Sequence, residues 1–253
     1  MTIAITRRIS PRFAECELTH IERAPIDLEL ARVQHHAYVE ALRTLGCDVI
    51  ELSAEPDLPD SVFVEDTAFI LPEMAVITRP GADSRKPETE SIVRALSPLI
   101  KLIRVREPAT VDGGDVLVLG KRIYIGLSTR SNPEATDQLN EVLSEYGYSV
   151  TSVALQDCLH LKSAVTRVDD HTLLINRNWV DANYFANFDL IDVDPFEPHA
   201  ANCLPIGASI IFPSAFPKTA EKLEKRGYHL VTVDVSELAK AEGAVTCCSL
   251  ILP

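Results

Sequence analysis

Apolar residues recur along the chain in a pattern that alternates between helix-like and strand-like segments. Three glycines each follow a helix-like segment and precede a run in which every second residue is apolar. Glycine adopts the left-handed conformation at little cost, so Gly46, Gly147 and Gly227 are predicted to end helices. The three runs, which form an internal repeat, are LGCDVIEL, YGYSVTSVAL and RGYHLVTVDV.

The helices in front of the first two of these glycines have apolar positions at helical spacing. The second helix is predicted to begin with Asn132 as N-cap and Pro133 at the first helical position. A further short helix is predicted in KPETESIVRAL. The predicted apolar faces consist of Leu30, Val33, Ala37, Ala41 and Leu45 in the first helix, and of Ala135, Leu139, Val142 and Tyr146 in the second.

A pair of apolar runs, typical of a β-hairpin, lies upstream of each helix. The predicted turns are near Pro72, Gly120, Asp169 and Gly207. An N-terminal strand in IAITRRI, completed by the C-terminal TCCSLIL, makes five units of strand, strand, helix and strand. Such units stack in a row or close into a ring. We favour the ring, because pairing the last strand with the first hides both sheet edges.

Composition and charge restrict the function. Hydrophobic residues make up 46% and charged residues 24% of the chain, as in soluble globular proteins. The net charge of −13 repels nucleic acid and anionic membranes and favours cationic small molecules. MTIAITRRIS lacks the apolar core of a signal peptide and no apolar stretch has the length of a membrane span, so we expect a cytoplasmic protein.

The six cysteines are scattered, without a C-x-x-C pair. A disulfide framework is therefore not expected, and a structural zinc site has little support. Two of the cysteines are adjacent, Cys247 and Cys248, in the last apolar run. They are either small buried residues of the core or include a nucleophile.

In a closed ring, equivalent ends of the five units converge near the axis. The motifs at these ends bring acids, a histidine and a thiol together: VED at 64–66, VDGGD at 111–115, LHLKS at 159–163, AANC at 200–203 and TCCS at 246–249. A cysteine nucleophile needs a neighbouring histidine and a group that orients it. Cys247, His160 and Asp112 would supply that set.

Each of these motifs also has a purely structural interpretation. His160, predicted at the start of a strand, could be a hydrogen-bonded core histidine. DGGD could be a turn with positive backbone angles. Glu65 and Asp66 lie at the mouth of an apolar hairpin and could simply form a solvated turn. If they are buried instead, they need a cation such as a guanidinium beside them, because buried carboxylates without a partner are costly. Other histidines, including His35, are expected to be exposed.

Seven motifs resemble, in order, those of the dimethylargininases, also called dimethylarginine dimethylaminohydrolases. They are FVEDTAFI, TRPGADSRK, VDGGDVL, GLSTRSN, LHLKS, AANC and TCCSL. The resemblance extends from about CELTH to the C-terminus. It implies the fold of the guanidine-modifying superfamily, a five-bladed α/β propeller, here as a single domain over residues 1–253.

The resemblance also implies roles for individual residues. The nucleophile is Cys247 rather than Cys248, the catalytic histidine is His160, and Asp112 orients it. Phe63 joins the substrate-binding residues. The resemblance implies that Glu65 and Asp66 bind the substrate guanidinium and that Arg85 and Arg130 bind its α-carboxylate. It also implies that Asp60, with the backbone near Leu18 and Ala241, binds the α-amino group. Leu18 would belong to a mobile lid.

The expected reaction is hydrolysis of a methylated arginine to citrulline and a methylamine, without a metal or organic cofactor. The expected partner is a small cationic guanidino amino acid, and a homodimer is possible. Two alternatives stay open. One is a hydrolase of free or N-hydroxylated arginine, and the other is a catalytically silent binding module for cationic amino acids.

Overall fold

Five three-stranded sheets form the structure, a computed structural model that describes residues 2–253. In every sheet the middle strand pairs antiparallel with one neighbour and parallel with the other. The strands are β15 (Leu250–Leu252), β1 (Ile3–Arg7) and β2 (Asp48–Leu52) in the first sheet; β3 (Ala68–Leu71), β4 (Met74–Ile77) and β5 (Leu102–Arg104) in the second; β6 (Val116–Leu119), β7 (Arg122–Leu127) and β8 (Ser149–Ala154) in the third; β9 (Val165–Arg167), β10 (Thr172–Ile175) and β11 (Asp189–Asp192) in the fourth; and β12 (Leu204–Ile206), β13 (Ser209–Pro213) and β14 (His229–Val233) in the fifth.

Helices connect the middle strand to its parallel neighbour in four of the five units. These connecting helices are α1 (Leu28–Thr44), α2 (Thr89–Leu96), α3 (Pro133–Ser144) and α5 (Pro217–Lys225). Two further helices, α4 (Leu161–Ala164) and α6 (Ser236–Ala239), are a single turn long and are not part of these connections. The fourth unit departs from the repeat, because a 3₁₀ segment, Ala182–Phe185, stands where the others have a helix.

Neighbouring sheets contact each other around the ring, and the fifth unit contacts the first through β14 and α1. β1 pairs with β15 from Ile3 opposite Leu252 to Ile5 opposite Leu250, as the sequence predicts. The five-bladed α/β propeller is therefore confirmed. No helix within residues 2–253 is both long and apolar enough to cross a bilayer.

The predicted turns and caps are present. Asn132 accepts a hydrogen bond from the backbone N–H of Ala135, and Pro133 opens α3. Gly46, Gly147 and Gly227 have φ of 87°, 77° and 89° after their helices. These signals are local in sequence, which is why they could be identified without the fold.

The predicted buried face of α1 is wrong in part. Ala41 is buried and Leu45 packs against the core, but Ala37 is exposed. Leu30 and Val33 are 40% and 65% exposed, whereas His35 and Tyr38 are buried. The helix turns a different face inward because its buried side packs on the C-terminal part of the chain, where the Gln34 side chain donates to Asp234 and Ser236. The expected exposure of His35 is wrong for the same reason.

Short helical turns precede the first strands of the units and meet one another in the middle of the propeller. A closed circuit of five hydrogen bonds links each unit to the next. Its members are Gly114 N–H to Asp66 Oδ1, Leu161 N–H to Asp115 Oδ1, Asn202 Nδ2 to the Lys162 carbonyl, Thr246 N–H to Asn202 Oδ1, and Glu65 N–H to the Cys247 carbonyl.

Candidate active site

One cavity of about 20 Å³ brings together most of the predicted site residues. Asp112 is fully buried against His160 at its edge, whereas Leu18 and the Glu65 side chain are not among its lining. The predicted residues that line it are Asp60, Phe63, Asp66, Arg85, Arg130, His160, Ala241 and Cys247.

His160 immediately precedes α4 and not a strand, which corrects the predicted local structure. Its Nε2 lies 3.4 Å from Oδ2 of Asp112, and its Nδ1 lies 4.0 Å from Oδ1 of Asp66. Burial by itself lowers the pKa of His160. The carboxylates of Asp66, Asp115 and Asp112 outweigh it and raise the pKa to about 9. The imidazole is therefore protonated at neutral pH and can donate a proton.

The two glycines of DGGD are required by close packing. Neither has a positive φ, so the turn with positive angles is excluded as their explanation. A Cβ at Gly114 would lie 2.5 Å from Nδ1 of His160 and 2.9 Å from Oδ1 of Asp66. Glycine here lets the backbone approach both side chains, so that its N–H can donate to Asp66 at 2.9 Å.

Asp66 is the carboxylate that remains ionised in the cavity. Burial raises its pKa, but the charges of His160 and Arg85 and two hydrogen bonds lower it to about 2. The bonds come from Nη1 of Arg85 at 2.6 Å and from the Gly114 N–H. A buried anion that stays charged can hold a cationic group.

Cys247 lies in a turn before β15, and not within a strand as predicted. It is 9% exposed and lines the cavity, whereas Cys248 is fully buried and does not. Burial, followed by the charges of Glu65 and Asp66, raises the pKa of the Cys247 thiol well above its usual range. The Cys247 side chain is therefore a neutral thiol in the free site.

The Glu65 carboxylate points away from this cavity, although Glu65 and Asp66 are adjacent. It accepts hydrogen bonds from Nζ of Lys162 at 2.5 Å and from Oγ1 of Thr246 at 2.7 Å. These three residues line a second cavity of about 240 Å³. The structure thus brings only one of the two predicted guanidinium-binding carboxylates, Asp66, to the site.

The two predicted carboxylate-binding arginines differ in their freedom. The guanidinium of Arg85 is occupied by Asp66, by Glu88 at 2.8 Å and by the carbonyls of Phe63 and Asp60. Arg130 has fewer partners, with Nη2 3.0 Å from Oγ1 of Thr19 and no carboxylate within 3.5 Å. Arg130 therefore has more donors available for a ligand.

The predicted α-amino site lies at the lid. Asp60 is buried and its two oxygens accept from the Glu17 N–H at 3.3 and 3.1 Å. Ala241 is buried in the cavity wall, and Leu18 is partly buried against the hydrophobic cluster that contains Cys247. The structure places the three near one another, with the lid backbone on Asp60.

Sequence reasoning missed three acids that shape the site: Glu88, Asp115 and Glu242. Asp115 bonds Ser128, Ser131 and the Leu161 N–H, and burial raises its pKa to about 6. The internal repeat could have identified it, because Asp66 and Asp115 both lie just ahead of the first strand of their units and each accepts a backbone N–H from the next unit. Glu88 and Glu242 carried no comparable signal.

One group of residues within 2–253 has the spacing of metal ligands. Atoms of Asp66, Asp112 and His160 all lie within 4.8 Å of one another. Two carboxylates and an imidazole suit a divalent cation, and the same arrangement equally surrounds a protonated histidine with negative charge.

Comparison with known proteins agrees with the geometry. A family model described as N,N dimethylarginine dimethylhydrolase, eukaryotic, matches residues 19–252. A Streptomyces coelicolor protein named N(G),N(G)-dimethylarginine dimethylaminohydrolase is 41% identical, with 98% of this chain and 96% of the relative covered. A Pseudomonas aeruginosa protein of the same name is 38% identical over 88% and 89% of the two chains.

Solved structures extend the similarity to three dimensions. The Pseudomonas aeruginosa enzyme, as a cysteine-to-serine mutant complexed with citrulline, superposes with a TM-score of 0.94 at 35% identity and 98% coverage of both chains. The N-terminal domain of a cyanobacterial arginine dihydrolase, at 18% identity and a TM-score of 0.84, shares the fold. The chain belongs to the dimethylarginine dimethylaminohydrolase family.

Proposed function

We propose that the protein hydrolyses N-omega-methylated arginine to citrulline and a methylamine. The observation that carries this proposal is the one cavity that the Cys247 thiol, the His160 imidazole and the Asp66 carboxylate line together. A guanidinium is a poor electrophile because its charge is delocalised, so it must be held and kept from water.

The substrate would lie with its two ends in different parts of the cavity. Asp66 would hold the guanidinium beside Cys247. Asp60, 5% exposed, would take the α-ammonium together with the backbone near Leu18 and Ala241. Arg130, with Arg85 behind Asp66, would hold the α-carboxylate. Glu65 would act from outside the cavity, through its charge on the thiol.

Substrate binding itself would prepare the nucleophile. The Cys247 thiol is neutral in the free site because it is buried and faces the charges of Glu65 and Asp66. A guanidinium cation beside it offsets those charges and lowers the pKa of the thiol. The thiol proton then leaves to solvent before the mobile lid that contains Leu18 excludes water from the cavity.

The reaction would proceed in two steps. In the first, the sulfur of Cys247 forms a bond to the guanidinium carbon, the C–N bond to the methylated nitrogen breaks, and His160 gives its proton to the leaving amine. In the second, the now neutral His160 takes a proton from a water molecule, the water oxygen bonds to the same carbon, and the C–S bond breaks. The product oxygen gives its remaining proton to the departing sulfur, so that citrulline leaves and the neutral thiol of the free site is restored.

A substrate panel tests the proposal. We expect citrulline and dimethylamine from dimethylarginine, with a higher kcat/KM than for monomethylarginine, N-hydroxyarginine, arginine or agmatine. A preference for arginine with release of ammonia would instead establish the alternative hydrolase. Tight binding of these compounds without any product would establish the silent binding module. We do not expect this outcome, because binding alone does not require the buried His160–Asp112 pair.

Three further expectations belong with this proposal: one catalytic domain over residues 1–253, a cytoplasmic location and a possible homodimer. Light scattering on the purified protein tests the last of them, since a monomer mass near 28 kDa would contradict it.

A further inference from the structure

The cavity is closed by a short segment from the N-terminal part of the chain, residues 17–21, which we call the lid segment. Glu17 lines the cavity, and residues 19–21 are exposed, with His20 and Ile21 lining a neighbouring cavity of about 290 Å³. A volume of about 20 Å³ holds about one water molecule. An amino acid of the size of arginine therefore enters only when the lid segment moves.

One side chain from the opposite end of the chain holds this segment. The Glu242 carboxylate accepts the N–H groups of Thr19 at 2.7 Å, His20 at 2.7 Å and Ile21 at 3.2 Å. Oε2 takes the first and Oε1 takes the other two, so both oxygens are used. Hydrogen bonds to an ionised acceptor are about twice as strong as neutral ones.

The backbone of Glu242 is strained. Its φ of 59° is in the left-handed region, which a residue with a side chain seldom adopts and which costs about 1 kcal/mol or more. Its neighbours Ala241 and Gly243 both line the cavity, and a Cβ at Gly243 would lie 2.2 Å from the ring of Phe63. The strained turn directs the Glu242 carboxylate at the lid segment from the loop that leads to Cys247.

The other hydrogen bonds that hold the lid segment come chiefly from residues with roles in the proposed substrate binding. Asp60 accepts the Glu17 N–H, and Arg130 donates to the Thr19 hydroxyl at 3.0 Å. A bound ammonium and carboxylate would compete for both. Glu242 also lines the cavity, but both of its carboxylate oxygens accept from the lid backbone, so neither oxygen is among the groups assigned to the substrate.

We propose that Glu242 is a positioning residue that holds the lid segment closed over the bound substrate. It touches neither the reacting atoms nor the catalytic pair, and acts through the backbone of residues 19–21. Closure keeps water out and keeps the charges of Asp66 and His160 in a medium of low dielectric constant, where they act most strongly.

Glu242→Gln tests the proposal with almost no change of shape. One carboxylate oxygen becomes an NH₂ group, which cannot accept from an N–H, so part of the set of three bonds is lost. We expect amide hydrogen exchange in a peptide that covers residues 19–21 to become at least about tenfold faster, the loss of about one charge-assisted bond. Exchange in β7 should be unchanged.

The matched control is Glu22→Gln, the same chemical change on an exposed residue just beyond the lid segment. Amide hydrogen exchange at residues 19–21 of the Glu22→Gln protein should be as slow as in the parent. Unchanged exchange at residues 19–21 in a folded Glu242→Gln protein would overturn the proposal. If that variant does not fold, Glu242→Asp replaces it, and its shorter side chain should raise exchange in the same peptide.

The kinetic part of the test rests on the proposed function. KM for dimethylarginine should rise about tenfold in Glu242→Gln with kcat within about threefold, because the lid segment holds ground state and transition state alike. Turnover by the parent with no change of KM in the variant would refute the positioning role. Absence of turnover by the parent would refute the proposed function, and the exchange experiment would still decide on the lid segment.

Discussion

The adjacent residues Cys247 and Cys248 have different surroundings in the same turn. Cys247→Ser should lower kcat about 1,000-fold or more, because an alcohol is a far weaker nucleophile than a thiolate. Cys248→Ser should retain most activity, since its hydroxyl can donate to the Ala244 carbonyl as the thiol does at 3.6 Å. Mass spectrometry after reaction with a haloacetamidine should find the adduct on Cys247. An adduct on Cys248 would reverse the assignment.

The charge of Asp112 contributes to the raised pKa of His160. In the parent, kcat should fall at alkaline pH, where His160 of the substrate complex loses the proton that the leaving amine needs. Asp112→Asn removes one of the negative charges that stabilise the imidazolium, so the alkaline limb should move to lower pH. The pH dependence of kcat measures this shift.

Asp137→Asn, on the exposed side of α3, is the control for the change of net charge. It should leave the alkaline limb where the parent has it. An alkaline limb that did not move in Asp112→Asn would mean that a group other than His160 loses its proton there.

Arg130 is better suited than Arg85 to test recognition of a carboxylate. Removing Arg85 leaves the buried Asp66 and Glu88 without their cation, which damages the site by itself. Arg130→Lys should lower kcat/KM for dimethylarginine about ten- to a hundredfold, since lysine cannot form two parallel hydrogen bonds to a carboxylate. Agmatine, which lacks the carboxylate, should be a poor substrate and unaffected by this change.

Thr19→Val distinguishes the contact of Arg130 with the substrate carboxylate from the contact of Arg130 with the lid. It removes the hydroxyl to which Arg130 donates and leaves the guanidinium in place. Its effect on dimethylarginine should be smaller than that of Arg130→Lys. Equal effects, or agmatine turned over as well as dimethylarginine, would show that Arg130 does not bind the substrate carboxylate.

Among the elements, those marked by local chemistry could be predicted and those oriented by distant contacts could not. The hairpin turns and the cap of α3 depend on a few neighbouring residues. The face that α1 buries depends instead on Asp234 and Ser236, about 200 residues later. Glu65 and Asp66 point to different cavities because they lie in a 3₁₀ segment, Val64–Thr67, where successive side chains are about 120° apart. No motif reports that direction.

The burial of His35 within α1 makes stability depend on pH. Burial lowers the pKa of His35 to about 4, whereas the unfolded chain titrates near its ordinary value of about 6.5. The unfolded state therefore binds a proton that the folded state does not, and stability present above pH 6.5 is lost as the pH falls towards 4. At pH 4.5 the loss is about 2–3 kcal/mol.

Urea unfolding at pH 7 and pH 4.5 measures this effect. His35→Leu should lose less free energy of unfolding between the two pH values than the parent, while His36→Gln, on the exposed side of α1, should lose as much as the parent. The same loss in His35→Leu and the parent would mean that His35 is already neutral in both states, or charged in both.

For the molecule as a whole, the sequence indicated the five units and the closing of the ring, because one repeat recurs and its ends complement each other. The set of site residues followed from motifs at equivalent ends of the units. The protonation states did not follow, because the pKa values of His160 and of Cys247 depend on charges that three different units bring to one place.

The pairing of β1 with β15 also sets a timetable for synthesis. Ile5 is synthesised well before its antiparallel partner Leu250. At about 5–20 residues per second, the interval is roughly 12–50 s. Throughout it the nascent chain carries an unsatisfied strand edge, and the nucleophile that lies three residues before Leu250 does not yet exist. Catalytic competence and the completion of the sheet are therefore expected to arise together, once the segment from Cys247 to Leu250 has been synthesised.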